Sequence, residues 1–167
     1  MIRLSWLISM GISLFGVMLI EHFFTLKLED QSNVNGNLGA VGLALIIPFI
    51  LLSLFITFRY FTELSRKSND NLSRSIYMLF GIAFLIAVTY FALDYKQTIY
   101  AELGGDTKNP NSIIYQFPVL NEYTNNVYIN FYTFLIFHTV AALIGSVFGI
   151  FQKGKQSSEE PVPAEKE

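Results

Sequence analysis

The chain contains no cysteine, which excludes disulfide scaffolding, thiolate metal sites, thiol nucleophiles and palmitoyl anchors. Charge is scarce as well: Asp, Glu, Lys and Arg make up 14% of 167 residues, and the formal net charge is -2. No basic stripe with interleaved aromatics occurs, so nucleic acid is not an expected partner. With two histidines and no H-E-x-x-H, H-x-x-E-H or paired-carboxylate array, no metal or other cofactor is expected. The G-x-S-x-G, P-loop and G-x-G-x-x-G patterns are missing too, and the serines have no evident His and Asp partners at a shared depth. No catalytic residue is therefore assigned, and an enzymatic role is not expected.

What the chain has in abundance is apolar sequence in long blocks, 52% hydrophobic residues in all. Crossing the ~30 Å hydrocarbon core of a bilayer takes roughly 20 apolar residues in a helix. Four stretches suffice, at residues 4–26, 38–61, 76–93 and 127–151. The first is not read as a cleaved signal peptide: its apolar run exceeds the usual ~7 to 15 residues, Glu21 and His22 lie near its far end, and no A-x-A-like site follows. The expected fold is an all-α membrane protein, an antiparallel bundle of four transmembrane helices.

Positive residues in short flanking segments resist translocation, whereas Asp and Glu count for little. Arg59, Arg66, Lys67 and Arg74 surround the connection between the second and third helices, Arg3 precedes the first helix, and Lys153 and Lys155 follow the fourth. That distribution puts both termini on the cytoplasmic side. Trp6, Tyr60 and Tyr77 then fall at the inner interface, and Tyr90, Tyr95, Tyr123 and Tyr128 at or near the outer one. Small size, lack of cysteine and the Lys, Asn and Ile usage point to a bacterial plasma membrane.

Leu28 to Asn37 reads as a polar connector. The second outer segment, residues 94–126, is longer than a tight connection needs. Within it Tyr95 to Leu103 can prolong the third helix as far as Gly104 and Gly105, which accept the left-handed backbone of a helix end. The apolar cluster from Ile113 to Leu120, broken by Pro118, is expected to lie on the membrane surface or cap the bundle. Residues 152–167 turn to Ser, Glu, Pro and Lys and read as a disordered acidic tail. Pro48 near the middle of the second helix removes one backbone hydrogen bond and marks a bend or hinge.

A charge at the centre of a membrane helix costs ~2.5 to 3.5 kcal/mol on insertion scales, so intramembrane polar residues need a reason. The candidates are Glu21, His138 and Asp94. His138 is the deepest; it suits an interhelical hydrogen bond, a proton relay or a ligand contact. A haem held by His22 and His138 is disfavoured, because their depths differ by ~10 Å at 1.5 Å per residue. Glu21 and Asp94 lie nearer the outer interface.

His138, Ala142, Gly145 and Gly149 recur at intervals that put them on one helix face, with Gly145 and Gly149 forming a small-xxx-small pair. The first helix carries Ser5, Ser9, Ser13 and Gly16 along a similar stripe, so these two helices are expected to pack together. Functionally, the small-residue stripes and long outer segment favour a scaffold or accessory subunit that contacts the lipid bilayer and other membrane proteins or itself. A small oligomeric transporter or channel using Glu21, Pro48 and His138 is the alternative, and a redox or enzyme subunit ranks below both.

Overall fold

A computed structural model describes residues 2–26, 38–68 and 70–159. They form five helices: α1 (Ile2–Phe23), α2 (Leu38–Lys67), α3 (Asn71–Glu102), the single turn α4 (Asn125–Tyr128) and α5 (Phe131–Glu159). Four spans among the described residues are long and apolar enough to cross a membrane, Ile2–Phe23, Gly39–Lys67, Arg74–Glu102 and Asn125–Lys153. The protein is an all-helical, multi-pass membrane protein. Its side-chain distribution agrees: Phe15, Leu45, Phe80, Ile86 and Phe151 are exposed, whereas Ser13, Ser53, Thr57, Thr62 and His138 are buried. Exposed apolar side chains in such number fit lipid as the surrounding solvent.

The bundle is organised around α2 and α5. Packing is concentrated between these two helices, with α1 against α2 and α3 against α5. A Cβ on Gly145 would run into the Phe58 carbonyl oxygen, and one on Gly149 into that of Thr62. The two α-carbons therefore let the α5 backbone lie directly on α2, the close approach that small residues permit in lipid. The serine and glycine stripe of α1 also faces α2: the Ser13 hydroxyl donates to the Phe49 carbonyl at 2.8 Å, and Gly16 lies beneath Ile46. Ser9 is buried but turns back to the Trp6 carbonyl of its own helix, at 3.0 Å, and Ser5 is exposed. The expected pairing of the first and last membrane helices through their small-residue stripes is thus replaced by a shared partner. The reason is that α2 carries its own small and polar face, Ser53, Thr57, Thr62 and Ser65, all buried.

Helix ends differ from those expected from hydropathy because caps, not the hydrocarbon boundary, set them. α2 runs past Phe61 to Lys67; Thr62 and Ser65 are buried there, and Glu63 pairs with Arg66 at 2.9 Å and Lys67 at 3.1 Å, one turn on. α3 begins where the Asp70 carboxylate accepts the Leu72 N–H at 2.9 Å, an N-cap. It continues through Glu102, shortening the segment expected to begin at residue 94. Gly104 and Gly105 have φ of 75° and 131°, and their N–H groups bond to Ala101 O at 3.2 Å and Tyr100 O at 2.8 Å. That is the paired 5→2 and 6→1 arrangement of a Schellman stop. α5 begins with a reciprocal cap: Asn130 Oδ1 accepts from Thr133 N at 2.9 Å, and Thr133 Oγ1 from Asn130 N at 3.1 Å.

At its other end α5 extends to Glu159 rather than giving way to the tail expected from residue 152. Residues 152–159 contain no proline, and Gly154 costs a helix only about 1 kcal/mol. The connector at 28–37 and the tail beyond Glu159 lie outside the described residues. α2 stays one helix through Pro48, whose side chain is exposed on the surface of the bundle.

Between α3 and α5 the chain folds back over the end of the bundle. Ile114 and Leu103 are buried, Leu120 packs on the core of Val17, Ile20, Ile129 and Phe134, and Leu26 N–H bonds to Glu122 O at 2.8 Å. The cluster expected on the membrane surface or over the bundle is a cap on this end.

Replacing Gly145 by Leu is expected to lower stability by about 3 kcal/mol or prevent folding, since the obstacle is backbone rather than a movable side chain. Gly11, where an added Cβ would meet nothing within 4 Å, should accept Leu with little change. Denaturant or thermal unfolding in mild detergent distinguishes the two.

Candidate functional site

His138, within the last membrane span, is 4% exposed. α5 aims it at α2. Its Nδ1 lies 2.8 Å from the Phe134 carbonyl; because that oxygen only accepts, Nδ1 carries the hydrogen and donates. In the neutral ring Nε2 is then an acceptor, and the Ser53 hydroxyl is 2.9 Å from it. The same hydroxyl is 2.9 Å from Ile50 O, so its one hydrogen has two acceptors within reach. One turn along α2, Thr57 donates to Ser53 O at 2.7 Å and accepts Trp6 Nε1–H of α1 at 3.0 Å. Trp6 is further held by Tyr60, stacked at 4.7 Å between ring centroids.

The result is a polar chain across α1, α2 and α5. Each of its donors finds an acceptor within the protein, as low-dielectric surroundings demand. Sequence reasoning found His138 but missed Ser53, Thr57 and Trp6. The serines were expected to lack His and Asp partners at a shared depth; Ser53 does meet a histidine, whose other ring nitrogen bonds a backbone carbonyl rather than an Asp. The available signal was the four-residue spacing of Ser53 and Thr57, which places both on one helix face.

The Ser53–His138 contact has the geometry of a nucleophile and base, yet it lacks what hydrolysis requires. The second ring nitrogen is oriented by a carbonyl rather than a carboxylate, and Ser53 is fully buried. What the arrangement does is fix the rotation of three helices about one another.

The other candidates do not join it. Glu21, near the cap, is half-buried with the Tyr95 hydroxyl 3.5 Å away, at the limit of a hydrogen bond. Asp94 is exposed on α3. His22 is exposed, its Nδ1 3.1 Å from Met18 O. Ala142 lies on the His138 face and, with His138 and Thr139, lines a cavity of about 530 Å³. Among the described residues no group of three or more His, Asp or Glu side chains gathers to hold a metal ion.

No protein-family model matches the chain, and no curated protein or solved structure matches it significantly.

Ser53→Ala removes the hydroxyl that faces Nε2 of His138 and is expected to cost about 0.6 to 1.7 kcal/mol, the span of interhelical hydrogen bonds in membranes. Thr57→Val removes the acceptor of the only tryptophan, so emission from Trp6 should shift to shorter wavelength. An unchanged spectrum would mean the indole is not bonded to Thr57.

Proposed function

We propose that the protein is a scaffold or accessory subunit of a plasma-membrane complex, built as an antiparallel four-helix bundle with both termini cytoplasmic. Charge supports the orientation: Arg66, Lys67, Arg74 and Lys153 belong to the end of the bundle opposite the cap, and positive residues stay inside. Helix contacts support the antiparallel order, with Trp6 beside Thr57, Ser13 beside Phe49 and Gly16 beside Ile46.

The observation that carries the subunit reading is the cap, residues 103–130. Its buried Asn and Thr side chains bond inward. Asn121 Nδ2 bonds to Pro118 O at 2.7 Å, Thr124 Oγ1 to Val119 O at 2.8 Å, Asn125 Nδ2 to Phe24 O at 3.1 Å and Asn130 Nδ2 to Asn126 O at 2.7 Å. Its apolar side chains Ile113, Tyr115, Phe117 and Val119 are exposed. Between the two aromatics Gln116 takes a positive φ of 62°, a conformation costing on the order of 1 kcal/mol or more for a side chain with a Cβ. A segment held this firmly while presenting aromatics outward is suited to docking a partner at the outer interface.

The Gly145 and Gly149 face is filled by α2, so partner contact falls to the cap rather than to that stripe. A transport path would need Glu21, Pro48 and His138 together. Pro48 instead lies exposed while His138 is buried against Ser53, and the neighbour of Glu21 is Tyr95 on α3.

Crosslinking in the native membrane, mild solubilisation and mass spectrometry are expected to recover a stoichiometric partner that Tyr115→Ala with Phe117→Ala loses. Recovery of the protein alone, or only as a closed homo-oligomer, would refute the reading. Because the chain has no cysteine, Asn111→Cys and Lys67→Cys test the orientation directly. In intact cells an impermeant maleimide should label the first and not the second.

A further inference from the structure

The cavity of about 530 Å³ is bounded by all four long helices. α2 and α5 form its floor. α1, through Trp6 and Met10, and α3, through Tyr77, Gly81 and Phe84, stand on opposite sides. It is open on one side, and its volume lies within the ~300 to 1,000 Å³ of small-molecule sites.

Three features of its lining identify what fits. The first is that the hydroxyls and imidazole at its deep end bond elsewhere: Thr57 Oγ1 to Ser53 O at 2.7 Å, Thr139 Oγ1 to Leu135 O at 2.7 Å, and His138 to Phe134 O and Ser53 at 2.8 and 2.9 Å. The deep part of the cavity therefore offers hydrocarbon, and a polar solute entering it would leave its own groups unsatisfied. The second is length. From Arg74 to Phe84 along α3 the cavity covers about 15 Å at 1.5 Å per residue, half of a ~30 Å hydrocarbon core and thus the depth of one leaflet.

The third feature is charge at one end only. Arg74 lines the cavity there, donating from Nη2 to Ser68 O at 2.6 Å, while its Nε–H is shielded and has no acceptor among the described residues. Lys153 Nζ reaches the same carbonyl at 2.7 Å. Asp70, whose carboxylate caps α3 at Leu72 N, adds one negative charge to this corner. Two cations against one carboxylate leave it positive, and a buried guanidinium N–H without an acceptor favours an anionic oxygen at the mouth.

We propose that this cleft binds one acyl chain of an anionic phospholipid from the surrounding leaflet, with the phosphate at Arg74 and Lys153 and the chain running past Tyr77 and Gly81 toward His138. This binding is independent of the cap and of any partner docked there.

The test uses the full-length protein in mild detergent, freed of co-purified lipid, with phosphatidylglycerol or phosphatidylcholine added and retention read by native mass spectrometry. Wild type is expected to retain phosphatidylglycerol about fivefold better, the equivalent of the ~1 kcal/mol that one cation contributes near anionic lipid. Arg74→Gln should abolish that preference, and Ala142→Phe, which fills the cleft beside His138, should reduce retention of both lipids. Equal retention of the two lipids by wild type overturns the proposal, as does an unaltered preference in Arg74→Gln. Undiminished phosphatidylglycerol binding in Ala142→Phe overturns it too, because the headgroup would then be held on the surface alone. The comparison of lipids on wild type needs no variant to fold, and emission from Trp6 reports whether each variant has.

Discussion

The close approach of α5 to α2 at Gly145 and Gly149 is the constraint on which the rest of the molecule depends. Lipid tails are as apolar as leucine, so no hydrophobic force pulls membrane helices together, and association rests on close packing and interhelical hydrogen bonds. Both occur on one face of α5. The glycines let its backbone rest on Phe58 and Thr62, and farther along the same face His138 reaches Ser53. α1 then docks on α2 through Ser13 and Trp6, and α3 docks on α5, with Gly81 against Leu143 and Tyr132 stacked on Phe91. With α1 and α3 each committed to a different member of the central pair, a gap between them follows. The cleft is a consequence of which helices touch, not an imperfection in how well they do.

The four spans were legible because a hydrophobic block of sufficient length has few alternatives to a membrane helix. Their ends were not, because hydropathy measures the hydrocarbon and a helix does not stop where the hydrocarbon stops. Asp70, Gly104 and the Asn130–Thr133 pair set those ends by bonding terminal backbone groups or accepting their dihedral angles. Gly104 could be read in advance, since a double glycine after a helical run has a specific backbone use.

The face carrying His138 was also legible, through its spacing, but its partner was not. Ser53, Thr57, Thr62 and Ser65 are interleaved with Phe58, Phe61 and Leu64, and hydropathy treats serine and threonine as nearly neutral. The contact that decides their role is made across helices by a hydroxyl whose direction no periodicity reveals. The cap was opaque for a related reason. Asparagine is a common residue of solvated turns, whereas Asn121, Asn125 and Asn130 are buried and bond backbone carbonyls.

These arrangements together decide where a ligand can be recognised. Trp6, Ser13, Ser53, Thr57 and His138 direct their polar hydrogens at one another or at backbone carbonyls. In hydrocarbon such bonds are worth only about 0.6 kcal/mol each on average, but a polar group stripped of its partner there pays the larger cost of desolvation. A polar solute at the level of His138 would have to break bonds without adequate replacement. Discrimination is therefore pushed to the two ends of the bundle, where water or headgroups can assist. One end presents exposed aromatics on a cap braced from within; the other presents the guanidinium of Arg74 at the edge of an apolar cleft. Packing and recognition are thus divided by depth, and the same buried hydroxyls that hold the helices together keep the middle of the protein chemically quiet.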